Sequence, residues 1–127
     1  MIALLEHDAA TGILLVYQTG QRTEADAGSQ EDMLAEKVAA TAPSGFLYVM
    51  DHARWDVSPQ TWGRMLNTAA TMIGSRPVAL IMPSDFPDDQ MTMLHGTVSA
   101  HAMTLEIFRE EDEGRRWLLE VLPAGTG

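Results

Sequence analysis

The sequence contains no cysteine. That removes disulfide bridges, thiolate nucleophiles, cysteine-ligated zinc and iron–sulfur clusters together, and it fits a reducing compartment. Lysine is nearly absent, Lys37 being the only one. No Gly-Lys-Ser/Thr can therefore close a Walker-type phosphate loop, and Gly-x-Gly-x-x-Gly is missing as well. The glycines of Ser44-Gly45, Gly74-Ser75 and the terminal stretch read as turn or tail residues. No apolar run approaches the roughly 20 residues that span a bilayer, and the first eight residues, Met1 to Asp8, carry no basic stretch and meet acid after five positions. Neither membrane insertion nor a secretory leader is expected, and the location expected is cytoplasmic. Positive charge is scarce: 18 acidic residues against 8 basic ones leave a formal charge of −10. Such a surface repels phosphate backbones and anionic headgroups, so no nucleic-acid partner is expected. Solubility alone accounts for the excess acid.

Catalytic templates are missing too. No serine sits in a Gly-x-Ser-x-Gly elbow. Of the four histidines, His7, His52, His95 and His101, the last two are six residues apart and fall on different faces of a helix, which is no metal clamp. Asp88-Asp89 and Glu110-Glu111-Asp112-Glu113 lie where first helical turns are expected, and there the macrodipole favours acids. No catalytic residue, cofactor or metal is expected, and the chain reads as a non-enzyme.

What is present describes one α/β domain. A chain of 127 residues with 46% apolar content supports a single core. Residues 2–6 and 13–17 form a hairpin across an Asp- and Gly-containing turn, with Gly20 ending the second strand. Thr23 with Asp26, or Ser29 with Asp32, starts a helix reaching about Ala42, with Met33, Leu34, Val38 and Ala39 as its apolar stripe. Residues 46–50 form a strand buried on both faces and closed by Asp51. Ser58 caps a helix with Pro59 at its first position, burying Trp62, Met65, Leu66, Ala69 and Ile73 and stopping at Gly74. Residues 77–82 are a strand, 88–103 a helix, 104–108 a short edge strand, 111–122 a last helix and 123–127 a frayed tail. The fold class is α/β: a mixed five-stranded sheet made of a β-hairpin, three α-β units and a C-terminal helix, with right-handed crossovers and helices on its faces.

In open parallel sheets, ligands and partners meet the carboxyl ends of the strands. Two loops are expected there side by side, 51–58 and 83–87. They hold the candidate partner or ligand surface: Asp51, His52, Arg54, Trp55, Asp56, Ser58, Ser84, Asp85 and Phe86. Trp55, a large aromatic among charges, must either pack down or meet a partner. The nine methionines read first as core filler and second as an adaptable binding surface. An unknown protein partner is the leading functional reading. A carrier of a small apolar ligand or lipid, in a pocket lined by Met, Trp and Phe, is the alternative, and a small enzyme of unknown chemistry comes third. The short edge strand leaves room for a homodimer.

A hairpin ending Tyr17-Gln18-Thr19-Gly20 with Thr23 and Asp26 soon after, a strand closing in Asp51, and Ile107-Phe108-Arg109 followed by Trp117-Leu118 resemble the SpoIIAA-like proteins, with the STAS-type fold of anti-sigma-factor antagonists. The resemblance implies a regulatory, protein-binding domain in which a serine opening the helix after the third strand is phosphorylated within an Asp-Ser-Ser-Gly-like stretch. This chain has Asp51-His52-Ala53-Arg54-Trp55-Asp56-Val57-Ser58 there. Only Ser58 matches, and the extra residues and Pro59 depart from the pattern. Receiver domains compete through Asp51 at a strand end, but no acidic pair closes residues 13–17 and no lysine follows Phe108.

Overall fold

A computed structural model describes residues 4–122. Its elements follow the expected order: β1 (Leu4–His7), β2 (Ile13–Arg22), α1 (Glu24–Thr41), β3 (Gly45–Trp55), α2 (Pro59–Ile73), β4 (Val78–Ile81), α3 (Asp88–Ala100), β5 (Leu105–Phe108) and α4 (Glu111–Val121). The expected tail, 123–127, and the start of the first strand lie outside the described residues.

The strands stand in chain order, β1-β2-β3-β4-β5, with β1 antiparallel to β2 and the other pairs parallel. Three right-handed crossovers running in one direction must put their helices on one face. Accordingly α1, α2 and α3 cover the side carrying Leu14, Val16, Phe46, Met50, Val78 and Leu80. The opposite side, with Ile13, Leu47, Val49, Ala79 and Ile81, is left to α4 through Leu118. Gly114 makes that seat possible: a Cβ there would stand 2.7 Å from Ile81 Cδ1 and 3.2 Å from the Ala79 Cβ. At the hairpin, Gly12 takes φ +78° and donates to the Asp8 carbonyl at 2.7 Å, a turn that side chains disfavour.

Local signals explain most boundaries. Thr23 is the α1 N-cap, with Asp26 Oδ2 accepting from the Thr23 backbone N–H at 2.8 Å. Ser58 Oγ accepts from the Thr61 N–H at 3.1 Å, Pro59 opens α2 and Gly74 closes it, as the sequence implies.

Four expectations need correction. Gly20 does not end β2: it adopts φ +80° and the strand runs on to Arg22. Residues 51–55 are not loop but the second half of β3, paired with residues 19–22 of β2. Tyr17 pairs with Val49 and Thr19 with His52, so three steps on β3 match two on β2. This one-residue bulge reverses the alternation of side chains beyond it, which is why Trp55 joins Met50 beneath the three helices. The inward stripe of α1 is Ala27, Gln30 and Leu34, with Val38 half-buried; Met33 and Ala39 are exposed. Finally, α3 stops at Ala100, because Ala102 turns left-handed at φ +51° and the Met103 N–H folds back onto the Val98 carbonyl at 3.0 Å.

Candidate functional site

The prolonged arm of β2 and β3 carries a polar network at the carboxyl end of the sheet, under the three helices. Arg22, 2% exposed, lies opposite Trp55 in the register with its guanidinium 5.2 Å from the indole centroid, a cation–π distance. Arg22 Nη2 donates to Gln30 Oε1 at 2.9 Å, tying the strand to α1. Trp55 Nε1 donates to Gln18 Oε1 at 3.0 Å. Gln90 of α3 donates through Nε2 to the Trp55 main-chain carbonyl at 2.9 Å, and the Gln90 main-chain carbonyl accepts from Trp62 Nε1 at 3.1 Å. The buried polar residues among those described, Gln18, Arg22, Gln30 and Gln90, all belong to this one network. Polar groups are retained in a core when hydrogen-bonded, and here they pin three helices to one strand end.

Above this base lies the rim, which holds most of the residues singled out from the sequence. Asp51 sits at the bulge, half-buried, with Oδ1 making no hydrogen bond among the described residues and Oδ2 3.6 Å from His52 Nε2. His52 is exposed. Arg54 Nη2 reaches both carboxylate oxygens of Asp85 at 2.9 and 3.2 Å, and Nη1 holds the Ala53 carbonyl. The structure thereby brings the end of β3 and the loop after β4 side by side, with Asp56 and Ser84 exposed nearby in sequence. Trp55 and Phe86 are each 5% exposed and belong to the core, Phe86 lying 6.0 Å from Trp62 between centroids. They are core residues and not part of the rim's surface.

Ser58 has a neighbour that the sequence did not announce. Glu24, in the first turn of α1, accepts from the Ser58 backbone N–H at 2.6 Å and from the Thr61 hydroxyl, so its carboxylate occupies the positive end of α2. These two bonds, Thr61 first, hold the Glu24 carboxyl below its ordinary range. Asp26 is lowered chiefly by the Thr23 backbone N–H, with smaller help from the Thr23 hydroxyl and the charge of Arg22.

Sequence reasoning did not find Gln18, Arg22, Gln30, Gln90 or Glu24, because each reads as an ordinary surface residue. The only available signal is placement: Arg22 two positions past a strand glycine, and Gln30 on the inner face of α1 set by Ala27 and Leu34. Among the described residues no three His, Asp or Glu side chains are grouped to hold a metal, and no helix is long and apolar enough to cross a membrane.

No family model and no curated protein matches this chain. Solved structures do. One is an uncharacterised protein of the DUF3478 family with a SpoIIAA-like fold from Shewanella loihica PV-4, at TM-score 0.62 and 14% identity, covering 91% of both chains. Another is the anti-sigma factor antagonist SpoIIAA in its unphosphorylated form, at TM-score 0.58 and 9% identity, covering 91% of this chain and 95% of that one. These two likenesses, each over about nine-tenths of the chain, make the fold of this chain SpoIIAA-like.

Proposed function

We propose that this chain is a non-enzymatic regulatory domain that binds a protein partner at the carboxyl end of its sheet, through His52, Arg54, Asp56, Ser84 and Asp85. The observation that supports this reading is the ion pair of Arg54 Nη2 with both Asp85 carboxylate oxygens, which joins the end of β3 to the loop after β4 in one surface. A pre-ordered surface loses little conformational freedom on binding. The first turns of α1, α3 and α4 add Glu24, Asp26, Asp88, Asp89, Glu111, Asp112 and Glu113 at the same end. A partner of complementary, basic surface is the one this end attracts. The likeness to an anti-sigma factor antagonist is consistent with a regulatory domain and supplies no partner.

Regulation through Ser58 would work against Glu24. A phosphoryl group on Ser58 Oγ would compete with that carboxylate for the amides opening α2 and would push α1 away from α2 by like-charge repulsion.

The test is capture of partners from source cells by the wild-type chain and by His52→Ala/Arg54→Ala, with identification and titration of any protein enriched. The double variant should melt close to wild type and bind the partner at least about 30-fold more weakly, as loss of an Arg anchor does. Equal affinity for both chains would remove the reading.

A further inference from the structure

We propose that the partly open space between α1, α2, α3 and the sheet is a binding site for a small, uncharged, largely apolar molecule whose hydrogen-bond acceptor is received by Gln30 Nε2. The space measures about 110 Å³. An apolar cavity of about 150 Å³ admits benzene, so this smaller space takes at most a single six-membered ring or a short branched chain, and a ring only as its flexible walls and open side yield. Gln30 lines it and is 5% exposed. Its orientation is fixed by chemistry: a guanidinium has only donors, so the oxygen of the Gln30 amide must face Arg22 Nη2, 2.9 Å away. The amide nitrogen then points elsewhere, and Nε2 is buried with no hydrogen-bond partner among the described residues. A buried donor left without an acceptor is costly, and a ligand acceptor would remove that cost.

The remaining wall fits such an occupant. Met50, Met65, Met72, Met82 and Met103 converge on the space with Trp62, so five of the nine methionines surround one cavity. Their unbranched thioethers re-pack around ligands of differing outline. Met103 is there because α3 stops at Ala100 and the chain doubles back. Tyr48 also lines the space, and burial raises its hydroxyl above the ordinary tyrosine range, so it stays neutral. Glu31, the carboxylate on the wall, is engaged by Arg64 of α2 at 2.7 Å. A neutral phenol and a carboxylate already paired do not favour a charged guest.

The inference stands apart from the partner surface, since no rim residue forms the wall. Its test is NMR titration of the isotope-labelled full chain with cyclohexanone and with methylenecyclohexane, which has nearly the same shape and no strong acceptor. In wild type, cyclohexanone should bind about five- to tenfold more tightly, with shifts centred on the Gln30 side-chain amide and the lining methionine methyls. Gln30→Glu keeps the acceptor that Arg22 needs but has no amide donor, and the preference should fall to one or reverse. Ala69→Leu, which fills the space, should abolish binding of both; if it fails to fold, the Gln30→Glu comparison decides. No binding of either probe at millimolar concentration, equal affinities in wild type, or a preference unchanged in Gln30→Glu would each overturn the proposal. Each would leave partner capture unaffected.

Discussion

The two faces of the sheet are made by the same strands and are finished in opposite ways. One lies under three helices that also pack on one another, and it contains the buried polar residues, the clustered methionines and an unfilled space. Among the described residues the other is closed by α4 alone, which sits so low on β4 that a glycine is needed at the contact. A lone helix can settle until atoms touch, whereas three neighbours must satisfy each other as well as the sheet. Strand order assigns these roles, because every crossover turns to the same side. The thick face is therefore where binding can be accommodated, and the thin face is where the domain is sealed.

The largest expected effect tests the thick face. Trp55→Ala removes an indole that lies against the Arg22 guanidinium and donates to Gln18, and should cost about 3–5 kcal/mol of stability, read from denaturant unfolding. A loss below about 1 kcal/mol, within the range of surface changes, would return Trp55 to the rim. Next comes the thin face: Gly114→Val adds atoms where Ile81 and Ala79 already stand and should cost about 1–3 kcal/mol through overpacking. If that variant were neutral, α4 would be free to lift and the contrast between faces would dissolve.

Smaller, and sharper in sign, is the effect of acid. The carboxyl of Glu24 titrates below its ordinary value of 4.5 in the folded chain. A group whose folded pKa is lowered contributes stability that is present above the unfolded pKa and is lost as pH falls through the folded one. Wild type should therefore lose stability on acidification below about that ordinary value, and Glu24→Gln should flatten this part of the profile while melting slightly lower at neutral pH. A parallel profile for both would show that the α1–α2 clasp contributes nothing. The smallest effect concerns self-association along the outer edge of β5, where Leu105–Phe108 has one paired side only. Light scattering at micromolar concentration should show a dimer that Ile107→Lys weakens, and a monomer would end that proposal.

The order of elements was legible because its signals are local: Ser58-Pro59 opening α2, the apolar runs of β3 and β4, and Gly12 and Gly74 at turns act through nearest neighbours. The site was legible only in part. Asp51 and His52 interrupt the apolar run, so β3 reads as finished at Met50, and the bulge that lets it continue depends on pairing with β2, a contact made at long range. Once the strand is cut short, Trp55 looks like a loop aromatic. The polar core escaped for the complementary reason: Arg22 and Gln30 are satisfied inside by each other, and Gln18 and Gln90 by Trp55, through contacts distant in sequence. Composition did flag the methionines, but their convergence on one space is a property of three helices and not of any one.

Strand order also bears on how the chain is made. Each strand lies beside its predecessor, so the sheet can grow in one direction as the polypeptide leaves the ribosome, with α1, α2 and α3 closing over one face as they emerge. The other face waits. Among the described residues, Leu47, Val49, Ala79 and Ile81 receive helical cover from α4 alone, the last element described, and a nascent chain halted before it would present a broad apolar sheet to chaperones and to its own copies.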